Sequence, residues 1–300
     1  MDMPATATKL ATTIPEYLGQ LRGALADADP AVTQDALYDA EEYLRAEWSE
    51  HPEFDEAALL ASVAGSYGAP EEVAAIYRDT EVTVKQALRT PPPRPRESPL
   101  GRFFGVFADP RAYASLLYML LALATGIFYF TWVVTGLSLT AGLGVLIIGI
   151  PFAVLFFASV RGLSLVEGRL VEAMLGERMP RRPLYADRDK PLLERIGAMF
   201  LDPRTWSTML YMLLMLPLGI LYFTVAVTAL VLSLSIAAWP VVQAFDGASI
   251  WWFGNEYLLP LWTAPLTFSL GVVLLVATMH LARGVGRLHA QLAKHLLVKA

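Results

Sequence analysis

Two long apolar stretches separated by charged segments form the main pattern of the chain. Residues 112–160 contain no Asp, Glu, Lys, Arg or His, and residues 205–279 contain only Asp246 and Glu256 as charged residues. A helix needs about 20 apolar residues to cross a hydrocarbon layer of roughly 30 Å. Each stretch is therefore long enough for two crossings. We predict four spans, at about 112–135, 140–160, 206–229 and 263–282, with a tight turn near Gly136 to Gly142.

The two apolar stretches repeat one sequence pattern. Residues 109–139 align with residues 202–232 at an offset of 93 and are identical at 18 of 31 positions. Further along, Arg161-Gly162 matches Arg283-Gly284 at an offset of 122. The larger offset means that the second copy contains an insert, which falls between roughly 232 and 262. The pattern predicts an all-α integral membrane protein whose four spans form two tandem hairpins, with repeat 1 at 100–178, a linker at 179–192 and repeat 2 at 193–300.

Each copy begins with the same tripeptide, Asp-Pro-Arg. An aspartate before the first helical residue can accept hydrogen bonds from free backbone N–H groups, and proline suits the first helical position. We therefore predict that Asp109 with Arg111, and Asp202 with Arg204, cap the two repeats. Residues 230–245 remain apolar, and they either extend the third helix, bent near Pro217 or Pro240, or lie in the membrane interface.

The first 88 residues have the spacing of a small helical domain. Apolar residues recur at helical intervals from Ile14 to Leu25, Pro30 opens a second helix, and further helices are predicted around Leu59 and after Pro70. The polar face of the second helix carries three glutamates, Glu41, Glu42 and Glu47. A proline- and arginine-rich linker at 89–99 joins this domain to the membrane repeats.

Charge predicts the orientation of the chain. Residues 1–90 hold 17 acidic and 6 basic residues, whereas the basic residues after position 90 lie within 94–111, 161–204 and 283–299. Lys and Arg concentrate on the cytoplasmic side of membrane proteins. We therefore expect a multi-pass protein of the bacterial cytoplasmic (inner) membrane with both termini, and the acidic domain, in the cytoplasm.

The sequence offers little for catalysis. It has no cysteine, and it shows neither a nucleophile beside a base nor a metal-ligand cluster, so we predict no enzyme activity, no cofactor and no metal. His280, His289 and His295 lie near the inner membrane surface on a basic helix and are expected to be solvated or interfacial. We also expect no buried Asp, Glu, Lys or Arg within a span, which weakens the case for transport.

Two candidate surfaces carry alternative interpretations. The insert gathers Trp239, Asp246, Trp251, Trp252, Glu256 and Trp262. These residues are either an aromatic belt at the outer membrane interface or an outer sensing surface for an envelope-active compound, a lipid headgroup or a cationic peptide. The acidic face with Glu41, Glu42 and Glu47 is either solvated or a docking surface. Its partner would be a basic protein or the chain's own basic helices at 161–178 and 283–299.

Both parts of the chain resemble known families. Residues 14–80, with DALYDAEEYL and GAPEEVAAIY, resemble the HAAS signalling domain, a module often encoded beside PadR-type transcription regulators. The remainder, with its two DPR, LYMLL and YFT copies and the closing ARGVGRLHAQLAKHLL, resembles the sensor transmembrane domain that forms the input half of many actinobacterial histidine kinases. Only 17 residues follow Arg283, so output through a partner is expected.

The resemblance implies a non-enzymatic membrane sensor or regulator. Its partners would be membrane lipids and a cytoplasmic regulator of PadR type or a separate kinase, with no direct binding of nucleic acid, and homo-oligomerisation is left open. A small permease or accessory subunit for lipid or drug export is the alternative function. A structural membrane anchor is a third, and for that class deletion would leave gene expression unchanged.

Overall fold

The computed structural model describes residues 11–298 except 64, 89–97, 145–148, 183–193, 195–196, 198–199, 247–248 and 259. The first part of the chain, here called the N-terminal unit (residues 14–88), forms four helices. They are α1 (Ile14–Ala24), α2 (Pro30–Glu50), α3 (Glu56–Val63) and α4 (Pro70–Leu88).

Local capping explains where the first two helices of the N-terminal unit begin. The side chain of Thr13 accepts a hydrogen bond from the backbone of Glu16, and Asp29 accepts one from Ala31 at 3.0 Å. Such caps satisfy N–H groups that have no partner inside a helix. Leu21 and Leu44 are fully buried between the helices. The unit therefore has an apolar core of its own.

A short helix α5 (Pro99–Phe104) leads into four long helices. These are α6 (Pro110–Leu143), α7 (Gly149–Leu175), α8 (Pro203–Asp246) and α9 (Ala264–Leu297). All four are long and apolar enough to cross a membrane. The described part of the chain thus has four candidate membrane-spanning helices, the number predicted from the sequence.

Several of the predicted span boundaries differ from the observed ones. The turn expected near Gly136 to Gly142 lies inside α6, because this segment has no helix-breaking proline and Gly136 packs tightly against Phe156. Residues 140–143 consequently belong to the first long helix and not to the second. The second and fourth helices also continue to Leu175 and Leu297, well past the predicted ends at 160 and 282.

Helix α8 is the longest element of the structure. It contains 44 residues and continues through Pro217 and Pro240, so residues 230–245 extend the third span. At 1.5 Å per residue its length is roughly 66 Å, about twice the thickness of a hydrocarbon layer. The helix must therefore tilt strongly or project from the membrane.

Helices α6 and α8 touch backbone to backbone at two glycines. A Cβ atom on Gly126 would clash with the carbonyl of Met215, and a Cβ atom on Gly219 would clash with the carbonyl of Ala122. Small residues at a helix crossing permit such close approach within a membrane. This crossing brings the tyrosines of the two helices towards each other.

After α8 the chain forms a β-hairpin. Strand β1 (Ser249–Trp252) pairs antiparallel with β2 (Asn255–Leu258). The loop residues Phe253 and Gly254 both have positive φ, at 49° and 79°, as a two-residue type I′ turn requires. The rest of the described regular structure is helical, as the sequence predicts.

Candidate functional site

Among the described side chains, the long helices bury one carboxylate and one imidazole. Glu167 of α7 is 0% exposed and His289 of α9 is 1% exposed, and both lie within helices that could span a membrane. The expectation that no acidic residue is buried within a span is therefore wrong, as is the expectation that His289 is solvated. Both errors have one cause. The charged residues predicted that the chain leaves the membrane as surface helices after each span, but α7 and α9 instead continue as part of the bundle. His280 and His295 are exposed.

Two tyrosine hydroxyls join the carboxylate to the imidazole. Tyr118 of α6 donates to Oε1 of Glu167 at 2.6 Å, and its oxygen lies 2.7 Å from Nε2 of His289. Tyr211 of α8 makes the same two contacts, at 2.8 and 3.0 Å. Both tyrosines are buried. The four side chains thus close a ring of hydrogen bonds, and each long helix contributes one of them.

Two further tyrosines complete the cluster. Tyr129 donates to Oε2 of Glu167 at 2.9 Å, and the hydroxyl of Tyr222 lies 3.3 Å from Nδ1 of His289. Tyr129 is buried, whereas Tyr222 is partly exposed. We call these six side chains the buried polar cluster: Tyr118, Tyr129, Glu167, Tyr211, Tyr222 and His289.

Counting hydrogens assigns the donors and acceptors of the cluster. Each tyrosine hydroxyl has one hydrogen, and Tyr118 and Tyr211 both donate theirs to Glu167. Their oxygens must then accept from the imidazole, so Nε2 of His289 carries a hydrogen and Nδ1 accepts from Tyr222. Each of these groups then has a partner, as a stable buried polar network requires.

The members of the cluster occupy equivalent positions under the two sequence offsets. Tyr118 and Tyr129 correspond to Tyr211 and Tyr222 at the offset of 93. Glu167 corresponds to His289 at the offset of 122. Aligning residues 161–178 with 283–300 position by position would have revealed this pair, but both segments read as basic amphipathic helices and the match of acid to base was missed.

The four predicted capping residues lie at the starts of α6 and α8. Asp109 accepts from the backbone N–H of Arg111 at 3.0 Å, and Asp202 accepts from that of Arg204 at 3.1 Å. The same carboxylates form ion pairs between the two halves, Asp109 with Arg283 at 3.1 Å and Asp202 with Arg161 at 3.2 Å. The guanidinium of Arg204 donates to the carbonyl of Leu297 and to Gln34, and that of Arg111 lies beside Gly176.

The N-terminal unit is anchored at the end of α7. Oδ1 of Asp35 accepts from the backbone N–H groups of Arg181 and Arg182 at 2.7 and 2.8 Å, and Oδ2 pairs with the guanidinium of Arg178 at 3.0 Å. Arg178 also pairs with Glu81 at 3.3 Å. Burial raises the pKa of Asp35, while the two N–H donors and Arg178 act in the opposite direction. These contacts define the first half of what we call the docking interface.

A second anchor lies near the end of α9. The ammonium group of Lys294 contacts Asp29 at 2.7 Å and Glu177 at 2.5 Å. Beside it, Ala31 is 0% exposed and packs in one apolar cluster with Met179 and Leu297. The N-terminal unit therefore rests on the ends of the two helices that carry Glu167 and His289.

The three glutamates predicted to dock lie elsewhere on α2. Glu41 pairs with Arg45 at 3.1 Å, Glu47 lies 3.7 Å from His51, and Glu42 is exposed. Among the residues that the structure describes, none of the three forms an ion pair with a long helix. Docking uses Asp29 at the cap of α2 and Asp35 within it.

The predicted outer sensing residues lie at the far end of α8 and after it. Asp246 ends α8, and the hairpin sets Trp251 opposite Glu256. The side chains of these three residues, and that of Trp252, lie outside the described part of the structure. Trp239 is partly buried within α8, and Trp262 is 74% exposed. The sensing surface stays a prediction.

Four long apolar helices around a buried polar cluster define the class, a multi-pass helical membrane protein. The family model Sensor, described as "Putative sensor", matches residues 118–297, and the chain belongs to this family. The match includes all six residues of the buried polar cluster. It begins after the N-terminal unit, whose resemblance to the HAAS domain stays a prediction. No curated protein and no solved structure matches the chain.

Proposed function

We propose that this protein is a non-enzymatic membrane sensor whose N-terminal unit passes the signal to a cytoplasmic partner, a PadR-type transcription regulator or a separate kinase. Membership of the sensor family supports the sensing role. The observation that carries the proposal is the docking of the N-terminal unit on the ends of α7 and α9, the helices that hold Glu167 and His289.

In this proposal the protein lies in the bacterial inner membrane with both termini in the cytoplasm. The basic segments at 94–111, 161–204 and 283–299 support this orientation, since Lys and Arg favour the cytoplasmic side. The two halves would be tandem copies of one hairpin. Matching contacts support the duplication. Asp109 and Asp202 occupy equivalent positions and each forms an ion pair with the other half. Tyr118 and Tyr211 are also equivalent, and both donate to Glu167.

The helices provide a direct mechanical link from the cluster to the docking interface. Glu167 lies about two turns before the end of α7, and Arg178 follows shortly after that end. Lys294 lies between one and two turns after His289 on α9. A change in the cluster that shifts either helix would move an anchor of the N-terminal unit. The docked and released forms would be two states whose populations the signal changes.

Transcript profiling of a deletion strain tests the proposed function. We expect deletion to change the expression of a defined set of genes and the wild-type chain to restore it. Arg178→Ala, which removes the ion pair of Asp35 just after the end of α7, should fail to restore it, whereas Arg169→Ala, at an exposed position within α7, should succeed. Unchanged expression after deletion would favour a structural anchor and refute the proposal.

Proton-coupled transport is the second candidate function. The buried Glu167 and His289 favour it, because ionisable groups within spans often form proton relays. A small permease or export subunit would then use the same cluster. Reconstituted wild-type protein that carries a proton flux across liposome membranes, with the flux lost in Glu167→Gln, would support transport. An equal leak in both would argue against it.

A further inference from the structure

We propose that the buried polar cluster is a proton-binding site, that the proton is the ligand this sensor reads, and that its binding holds the N-terminal unit in the docked state. This inference rests on the proposed function and names the input for it.

The closed geometry of the cluster selects a very small ligand. Glu167, His289 and the two bridging tyrosines contact each other directly, at 2.6 to 3.0 Å between polar atoms. No larger ligand fits between partners at such distances. A single added proton, in contrast, changes the net charge of a site whose carboxylate and imidazole are buried. Burying an uncompensated charge is costly, so the helices around the site must respond to that change.

The contacts also indicate which atom receives the proton. Nε2 of His289 already carries a hydrogen, since both bridging tyrosines donate to Glu167, and Nδ1 is left as the free base. Its contact with Tyr222 is the longest in the cluster, at 3.3 Å, and Tyr222 is only partly buried. On the carboxylate side, Tyr129 is buried and bonded at 2.9 Å. A proton therefore reaches the cluster from the side of the imidazole and not from the side of the carboxylate.

The proton transfer balances without a further reactant. A proton from water binds the lone pair of Nδ1, and the neutral imidazole of His289 becomes an imidazolium. The hydroxyl of Tyr222, which had donated to Nδ1, turns and accepts instead, and its hydrogen points towards the partly exposed side. No covalent bond between heavy atoms forms or breaks.

Protonation strengthens the connection between α7 and α9. The titratable groups that meet in the cluster are Tyr118 and Tyr129 from α6, Glu167 from α7, Tyr211 and Tyr222 from α8, and His289 from α9. The added proton places a positive charge on the imidazole of His289. The oxygens of Glu167 then attract this charge through the bridging tyrosines, strongly because the surroundings are apolar. Loss of the proton at higher pH then loosens α7 and α9 and releases the N-terminal unit.

Cysteine reactivity in the full chain, reconstituted in lipid nanodiscs, tests this coupling. The chain has no cysteine of its own, so a single introduced thiol reports alone. Ala31→Cys places it in the docking interface, where the side chain is buried against the long helices. Ala36→Cys is the matched control, buried in the core of the N-terminal unit itself. Ser49→Cys, at an exposed position, corrects for the intrinsic effect of pH on thiol chemistry.

We expect the maleimide reactivity of Ala31→Cys, relative to Ser49→Cys, to rise about tenfold or more from pH 5.5 to pH 8.5, as release of one coupled proton allows. Ala36→Cys should stay unreactive throughout, which would show that the unit undocks without unfolding. In the Glu167→Gln and His289→Gln backgrounds the relative reactivity should change less than about twofold. Tyr222→Phe keeps the bridged ring and should reduce the response.

Three results would overturn the inference. One is a wild-type reactivity that does not change with pH. Another is a pH response that survives both Glu167→Gln and His289→Gln. Such a response would come from the interface itself, where the raised pKa of Asp35 also makes docking weaker as pH rises through that pKa. The third is one tightly bound metal ion per chain that is lost in Tyr118→Phe.

These results separate the inference from the proposed function. If Arg178→Ala leaves gene expression unchanged while the cluster still controls docking, the proposed function fails and the proton site stands. If gene expression responds to Arg178→Ala but docking ignores pH, the proton site fails and the sensing role stands.

Discussion

At the scale of single residues, the hydroxyl groups of the cluster set the chemistry of the bundle. Tyr118 and Tyr211 are buried side chains whose rings pack among apolar residues while their oxygens contact both Glu167 and His289. A phenylalanine would keep the packing and remove only the hydrogen bonds. Replacing these tyrosines one at a time therefore measures the bridge itself.

Tyr118→Phe should lower the free energy of unfolding by about 1 to 3 kcal/mol, because it leaves buried groups short of a hydrogen-bond partner. Tyr113→Phe is the matched control, since Tyr113 lies on the same helix, is exposed and donates only to the carbonyl of Phe107. Its effect should stay within about 0.5 kcal/mol. Reversible unfolding in mixed micelles gives both values, and equal losses would contradict the bridging role.

Gly126→Ala should be strongly destabilising, although alanine is the better helix former. The added Cβ meets the backbone of Met215, which cannot move aside, so we expect a loss of about 1 to 3 kcal/mol in the same unfolding assay. Gly142→Ala is the control, because nothing lies near a Cβ there and alanine stabilises an exposed helical position by up to about 1 kcal/mol. A stable Gly126→Ala would show that α6 and α8 do not cross closely.

At the scale of elements, the surprise is the course of α7 and α9. Their charged residues find partners inside the protein, Arg161 with Asp202, Arg283 with Asp109 and Glu167 with His289 through tyrosines. A basic amphipathic pattern indicates a surface helix when each charge is considered alone. A partner on another helix offsets the cost of burying a charged side chain, and helical spacing does not identify such a partner.

This difference separates what the sequence could and could not predict. The four spans, the N-terminal helices and the caps at Asp109 and Asp202 follow from local rules of length, spacing and capping. The contact of Asp35 with Arg178 joins residues far apart along the chain, and nothing local to either residue indicates it. The buried polar cluster had one sequence signal: the tyrosines repeat in the two copies, and Glu167 aligns with His289. This signal indicates a site only when the packing of the helices is known.

Exchanging the two ionisable residues tests the equivalence of the helices. Glu167→His alone sets two imidazoles together, His289→Glu alone sets two carboxylates together, and each should destabilise the bundle. The double variant restores one acid and one base at equivalent positions, so its loss should be smaller than the sum by about 0.5 to 3 kcal/mol in a double-mutant cycle. Additive losses would mean that the two side chains do not act as a pair.

At the scale of the whole molecule, two parts with separate cores meet at an interface of ion pairs. The N-terminal unit buries its own apolar residues, yet Asp35 and Asp29 attach it to α7 and α9. Partly buried ion pairs suit an interface that opens and closes. The acidic unit and the basic ends of the long helices form the connection that the proposed release would break.

Asp35→Asn should release the N-terminal unit, because it removes the charge that pairs with Arg178 and weakens the bonds from Arg181 and Arg182. We expect the relative reactivity of Ala31→Cys to rise about tenfold, which corresponds to 1.4 kcal/mol of docking energy. Glu42→Gln, an equal change of charge at an exposed position of the same helix, should leave the reactivity unchanged. A response to Glu42→Gln as large as that to Asp35→Asn would indicate general electrostatic attraction instead of a specific anchor.

Hydrogen exchange at the backbone N–H groups of Arg181 and Arg182 tests most directly whether the buried polar cluster controls the docked state. Both groups donate to Asp35 and are protected only while the N-terminal unit is docked. At pH 5.5 Glu167→Gln should speed their exchange about tenfold in the full chain, while exchange within α1 should stay unchanged. Equal exchange at Arg181 and Arg182 in wild type and variant would contradict it.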